Sequence, residues 1–255
     1  MELISKRIAY IRPRYKIFKD WYKLVFPLNR IPGEKKLHLK TDMEFTVRGA
    51  RTSDVSILID LLFKNEYPAL NKIAFKQSHK IVVDLGANIG AFIALVNSTL
   101  PDAEVHAYEA NPVNFEILKK NLRKGDRAYF GAVTDHPGES VLYLNDFSVT
   151  STLRKENVVN VSSDNSVKVP NIVFKDILSS FEHIDLVKVD IESAEFEIFF
   201  SPIEGLIDRV ENIFLEIHGH SKWSTEDLIA RIESLGFRKA PDGACVASTY
   251  WFQRK

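Results

Sequence analysis

From Lys80 onward, short β-branched and apolar runs alternate with amphipathic stretches of helical period, and that alternation admits few folds. Strand-helix-strand repeats build a mostly parallel sheet, because each crossover helix must bury its apolar stripe against the strands. "KIVVDLG" reads as a buried strand ending in a carboxylate and a glycine, and "GAFIALVNSTL" as the helix after it, stopped by Pro101. "EVHAYEA" is the second strand. Asn111 then caps a helix with Pro112 at its first position, Phe115, Leu118 and Leu122 on one face and Gly125 at its end. "RAYFGAVTD", "IDLVKVDIE" and "VENIFLEIHGH" read as the third, fourth and fifth strands. The polar segment 145–168 is expected to hold a short strand or a flexible lid. Ser224 with Asp227 starts a helix carrying Leu228, Ile229, Ile232 and Leu235, closed by Gly236. Asp242-Gly243 predicts the turn of an antiparallel hairpin at the sheet edge. The expected architecture is therefore α/β: a three-layer sandwich on a mostly parallel seven-stranded sheet, with an antiparallel C-terminal edge hairpin and an N-terminal helical extension.

Composition narrows the class. The chain has 255 residues, 45% of them hydrophobic and 27% charged, enough for a full core in one domain. Its formal net charge of +0 gives no global pull toward nucleic acid or an anionic membrane. The single cysteine, Cys245, excludes an internal disulfide and a multi-cysteine zinc cage, and is expected to be a buried structural thiol. The apolar run from Ile57 to Phe63 is broken by Asp60 and is too short to span a bilayer, and no signal-peptide core opens the chain, so a cytoplasmic location is expected. Residues 1–78 are expected to form the extension and 79–255 the main domain. Within the extension, residues 1–30 are strongly basic, with aromatics such as Tyr10, Tyr15, Trp21 and Tyr22 interleaved. That pattern suits either a solvated helix packed on the domain or a face that touches a membrane surface or an anionic substrate. Pro27, Pro32 and Gly33 mark a linker.

A sheet of this kind binds ligands beyond the carboxyl ends of its strands. The turn after the first strand is Asp84-Leu85-Gly86-Ala87-Asn88-Ile89-Gly90, in which Asn88 stands where a dinucleotide fingerprint requires a further glycine. A pyrophosphate ligand is disfavoured. A ligand with an amino acid end and a nucleoside suits the loop, and Glu109 at the end of the second strand can accept both hydroxyls of a ribose. Together these features describe S-adenosylmethionine.

The stretches "VVDLGANIGAF", "VHAYEANPVNFEILKKNL", "GAVTDHPGES" and "DLVKVDIESAEFEI", in this order, resemble the FkbM-type methyltransferases, a branch of the S-adenosylmethionine-dependent class with a Rossmann-like sheet. The similarity covers roughly residues 80–238 and is weaker upstream, at "VRGARTSDVSIL". The family usually has glycine where Ser193 stands in this chain. The resemblance implies that Asp84, Gly86, Ala87, Asn88 and Gly90 surround the methionine end of the cofactor, and that Glu109, with Ala110 and Asn111 beside it, holds the ribose. Asp135, after the third strand, is placed at the adenine edge or in a plain turn.

Asp190, Glu192 and Glu195 sit where substrate-facing groups occur in this fold, and the two glutamates share a face if a helix starts there. Glu216 and His218 alternate on the fifth strand and so point to one side. Transfer from a sulfonium to a hydroxyl requires alignment and removal of the hydroxyl proton, a task for His218 as general base oriented by Asp190 or Glu216. Alternatively Asp190, Glu216 and His218 hold a divalent cation that acidifies the hydroxyl. The other histidines lack a metal-ligand spacing. The expected acceptor is a hydroxyl of a small molecule or sugar, the oxygen preference coming from the resemblance. A non-catalytic cofactor-binding regulatory or scaffolding protein is a different class. A nucleic-acid methyltransferase is a third, disfavoured because the fourth strand lacks the Asn-Pro-Pro-aromatic tetrapeptide that grips a flipped base.

Overall fold

The structure is a computed structural model and describes residues 2–25, 32–49, 52–144, 151–153, 165–192, 194–241, 245 and 248–255. The Asp242-Gly243 turn, Ser193 and most of the 145–168 segment lie outside the described residues. Helices α1 (Glu2–Ile17) and α2 (Tyr22–Val25) open the chain, followed by an antiparallel hairpin, β1 (Gly33–His38) with β2 (Glu44–Gly49), and helix α3 (Asp54–Leu62). The extension is thus helical at its start but also carries a hairpin that the sequence reading did not include, and Gly33, read as linker, begins β1.

The main sheet uses β3 (Lys80–Leu85), β4 (Ala103–Glu109), β5 (Arg127–Phe130), then, after an excursion, β10 (Leu186–Val189), β11 (Asn212–Glu216), β12 (Phe237–Lys239) and β13 (Thr249–Arg254). Its order is β12-β13-β11-β10-β3-β4-β5, with β13 antiparallel to both its neighbours and the pairs from β11 to β5 all parallel. This is the expected seven-stranded Rossmann-like arrangement with an antiparallel C-terminal edge pair. Helices α4 (Ala91–Thr99) and α5 (Pro112–Asn121) link the first strands, and α6 (Phe174–Ser179), α7 (Glu195–Phe200) and α8 (Thr225–Ser234) belong to the second half.

Period-two alternation explains the three layers. Val82, Val105, Leu186 and Phe214 join one apolar cluster with α4 and α5, whereas Val83, Val187, Ile213 and Leu215 join the other with α6, α7 and α8. Both faces are buried, so the strands read as continuous apolar runs. Ile17, Phe18, Leu24, Leu37, Phe45 and Leu58 of the extension belong to the first cluster, so the extension covers that face of the sheet. Tyr10, Tyr15 and Tyr22 stay exposed on its outer side. No helix of the described residues is long and apolar enough to cross a membrane.

The stretch read as one third strand is two. Gly131 adopts φ +154, and a Cβ there would stand 2.8 Å from both Pro170 O and Ile172 Cγ1. The chain therefore leaves the main sheet at this glycine and enters a second one, in which β6 (Ala132–Thr134), β9 (Ser166–Val173), β7 (Glu139–Leu144) and β8 (Ser151–Thr152) lie in that order. This small sheet roofs the carboxyl ends of β4 and β5.

The predicted helix caps form. Asn111 Oδ1 accepts from Val113 N at 2.9 Å, and Ser224 and Asp227 make a reciprocal capping box. Asn121, the last residue of α5, accepts from Thr46 N at 2.6 Å and donates to Thr46 O at 2.9 Å and to Ile89 O at 2.8 Å. One amide thus ties the extension's hairpin to the glycine-bearing loop after β3.

Candidate functional site

That loop is shaped by contact with β10. Gly86 has φ +80, and a Cβ on it would lie 1.7 Å from the carbonyl oxygen of Asp190, so only glycine lets the ends of β3 and β10 approach this closely. Asn88 and Gly90 also have positive φ, 51° and 90°. The amides of Gly86 and Ala87 both donate to Tyr108 O at 3.0 Å, which fixes the turn against the end of β4.

Glu109, the last residue of β4, accepts from Asn88 N and Asn111 N, each at 2.7 Å, one on each carboxylate oxygen. Burial pushes its carboxyl up to about 7 against the pull of those two amides. Each oxygen keeps a lone pair for a further donor. Glu109 lines a cavity between the loop and the second sheet, with Gly86, Asn88, Asn114, Val133 and Leu142 among its walls. Its mixed polar and apolar lining suits a small ligand. Asn114 Oδ1 is buried and has no hydrogen-bond partner among the described residues.

Lys188 stands where an apolar strand would place another aliphatic. It is 5% exposed, reaches Asp84 and Asp190 at 3.2 Å each, and donates to Gly86 O at 2.9 Å. One ammonium therefore joins β3, its loop and β10. Burial opposes its charge, yet the two carboxylates outweigh burial and hold its pKa well above the usual value. Asp84 is fully buried, and burial raises its pKa despite Lys188.

A second cavity, of about 320 Å³, shares Gly86, Asn88, Asp190 and Glu192 with the first and extends toward Glu216 and His218. The extension forms its other wall, through Asp60, Glu66 and Tyr67. His218 Nδ1 donates to the fully buried Glu195 at 2.9 Å, while Nε2 faces Glu192 at 3.7 Å and Asp190 and Glu216 at 3.9 Å each. Burial alone would lower the imidazole's pKa, but the Glu195 bond and the charges of Glu192 and Asp190 reverse this and raise it to about 9. Glu192 is pushed up to about 7, by burial first and by its neighbouring carboxylates, against the pull of His218. It has φ 55, a conformation unusual for a side-chain-bearing residue, which turns it into the junction between the two cavities.

A family model described as "Methyltransferase FkbM domain" matches residues 84–239. The chain belongs to the FkbM methyltransferase family. Methyltransferase sdnD of Sordaria araneosa is 27% identical over 197 residues, spanning 64% of this chain and 74% of that protein. The 31-O-demethyl-FK506 methyltransferase FkbM of Streptomyces tacrolimicus is 22% identical over 169 residues, 54% of this chain and 65% of that protein. Among solved structures, a putative transferase from Pyrococcus horikoshii aligns with TM-score 0.48 at 13% identity, over 98% of this chain and 85% of that one. Pyrococcus horikoshii TYW2 in complex with MeSAdo aligns with TM-score 0.44 at 12% identity, over 87% and 70%.

The cofactor of this methyltransferase is S-adenosylmethionine, and the first cavity fits it. Glu109 offers acceptors to ribose hydroxyls, Asn114 an unpartnered carbonyl, and Val133 and Leu142 an apolar wall for a base. Glu109→Ala is expected to weaken S-adenosylmethionine binding about 100-fold, the loss of two charge-assisted hydrogen bonds. Calorimetric titration of both proteins checks this, and equal affinities would remove Glu109 from the site.

The structure gathers most of the sequence candidates and redistributes the rest. Gly86, Asn88, Glu109 and Ala110 line the first cavity and Ala87 the second, whereas Gly90 packs against Leu118. Asp84 lines neither cavity and holds Lys188 instead. Asn111 directs its side-chain oxygen to the cap of α5. Asp135 does not line the first cavity and lies beside His136 at 2.6 Å, in a separate recess against α7. Glu192 and Glu195 do not share a helical face, because α7 begins at Glu195, yet both carboxylates reach His218. β11 ends at Glu216, with His218 just beyond it, and the two still face one another. Among the described residues, Asp190, Glu192 and His218 can bring three metal-ligand atoms within 4.8 Å of one another, with Glu192 in the place expected for Glu216. Carboxylates surround the His218 ring, and the Glu195 bond with the charges of Glu192 and Asp190 raises its pKa above the ordinary histidine value despite burial. The sequence reading missed Lys188, whose signal is a lysine inside "DLVKVD", and Asn114, Glu66 and Tyr67, which carried none.

Proposed function

We propose that this methyltransferase transfers a methyl group from S-adenosylmethionine to a hydroxyl of a small molecule or sugar bound in the second cavity. The observation that supports the reading is the junction of the two cavities at Gly86, Asn88, Asp190 and Glu192: a donor in the first and an acceptor in the second would lie end to end beside a cluster able to take a proton. When bound, S-adenosylmethionine supplies a methyl group already activated on a sulfonium. The protein's part is alignment and proton removal. His218, with its pKa near 9, is protonated at neutral pH and orients the cluster as an imidazolium anchored by Glu195. Glu192, with a pKa near 7, takes the hydroxyl proton as the acceptor oxygen bonds to the methyl carbon and the carbon-sulfur bond breaks. Asp190 and Glu216 complete the wall. The name of the Streptomyces relative specifies an oxygen as the methylated atom, which favours a hydroxyl here.

The test is an acceptor screen with pH profiles. kcat/KM is expected to rise with pH through about 7 as Glu192 ionises, and Glu192→Gln to lose that limb. His218→Asn is expected to lower kcat about 100-fold with S-adenosylmethionine affinity retained. A pH-independent rate in wild type, or full turnover in His218→Asn, would remove these roles. A second reading places a divalent cation among Asp190, Glu192 and His218, whose ligand atoms lie within 4.8 Å of one another; turnover insensitive to a chelator counts against it.

A further inference from the structure

The second cavity carries more negative charge than methyl transfer to a neutral hydroxyl requires. Glu66, Asp190, Glu192 and Glu216 line it, and the cations within reach are Lys188 and His218. Lys188 is already shared between Asp84 and Asp190, and His218 is held by Glu195 from behind. Asp60 is neutralised by Lys64 at 2.7 Å. Glu66 has neither a hydrogen bond nor an ion pair among the described residues. It stands on the extension, opposite Asp190 and Glu216, so both walls of the cavity present carboxylate. Burial, and then the charges of Glu216 and Asp190, raise its pKa. Lys188 and His218 stand beside Asp190 and Glu216, and no cation of the described residues comes within ion-pair distance of Glu66. Tyr67 and Phe92 complete the lining.

We infer that the acceptor is a cation, an amine-bearing polyol such as an amino sugar, whose ammonium sits between Glu66 and the Asp190–Glu216 wall while its hydroxyl faces Glu192. This rests on the reading of the second cavity as the acceptor site. An ammonium there gains charge-assisted hydrogen bonds from carboxylates already in place, and a carboxylate or phosphate ester meets like charge. Glu66 then selects the acceptor without touching the cofactor, since it does not line the first cavity.

The experiment titrates full-length protein, saturated with S-adenosylhomocysteine, with glucose, glucosamine and glucuronate, and repeats it on Glu66→Gln. Glucosamine is expected to bind about tenfold more tightly than glucose, glucuronate not measurably, and Glu66→Gln to erase most of the glucosamine advantage. S-adenosylhomocysteine affinity, measured first, reports that the variant is folded. Equal binding of glucosamine and glucose overturns the inference, as does an advantage that survives in Glu66→Gln. Mn2+ is titrated in parallel: an ion that binds at one per chain and displaces glucosamine would make a metal the cation of this cavity, and also overturns it. Glucose bound as well as glucosamine would leave the hydroxyl-methylation reading standing, so the two failures are distinct.

Discussion

Gly86→Ala is expected to lower stability by about 4 kcal/mol and to abolish S-adenosylmethionine binding. A left-handed backbone costs an alanine about 1–2 kcal/mol, and overpacking against fixed atoms up to about 3 more. Here the obstructing atom is the backbone oxygen of Asp190, 1.7 Å from the added Cβ, and backbone at a strand end cannot swing aside as a side-chain terminus does. Strands β3 and β10 would have to part at the point where both cavities meet. For a chain of this size that stability loss is a fall of roughly 10 °C in Tm. Gly138→Ala is the control, because its φ of +112 is equally left-handed but a Cβ there meets nothing within 4 Å. It should lose only the conformational cost of about 1–2 kcal/mol. Scanning calorimetry of the pair isolates the contact, and equal losses would show that the close approach does not constrain the fold.

Lys188→Met is expected to cost about 3–5 kcal/mol at neutral pH, because it strands the buried carboxylate of Asp84 without its cation. The deficit should also depend on pH in a defined direction. Burial already raises the pKa of Asp84 above its ordinary value, and Lys188 is the main influence holding it down. Without the lysine the folded-state pKa rises further above the unfolded one. A carboxyl shifted upward favours the folded state when protonated, and that contribution fades as pH rises through the folded pKa. The gap between variant and wild type should therefore be smaller at about pH 5 than at about pH 8 in urea denaturation. Adding Asp84→Asn should recover much of the loss at the higher pH. A gap that stays constant with pH would mean that the lysine acts through packing rather than through its charge.

The two residues differ in how legible they were. Gly86 stood out because a glycine directly after an apolar strand has few other uses, and Asp84 and Glu109 because acids at the ends of apolar runs need a reason. The caps at Asn111 and Ser224 were legible for a similar cause: they depend on residues within three positions of one another. Lys188 sat in plain view, yet the carboxylate of Asp84 that explains it is far away in the sequence and adjacent only across the sheet. Gly131 was read through as strand, because the side chain of Ile172 and the oxygen of Pro170 that force the turn come from a distant segment.

The histidine marks the boundary most clearly. Its position and its pairing with Glu216 were readable from strand alternation, but its protonation state was not. That state is set by Glu195, Glu192 and Asp190, which arrive from the far side of a parallel strand pair. Local chemistry, namely strand and helix periods, caps, glycines at turns and acids at strand ends, is written in neighbouring residues, and the sequence by itself determined the layered sheet and the loop and strand ends that line the first cavity. Charge balance is a sum over groups brought together by folding. The ionisation of His218 and Glu192, the reassignment of Asp84 to Lys188, and the contribution of Glu66 and Tyr67 from the extension were therefore decided by the tertiary structure alone.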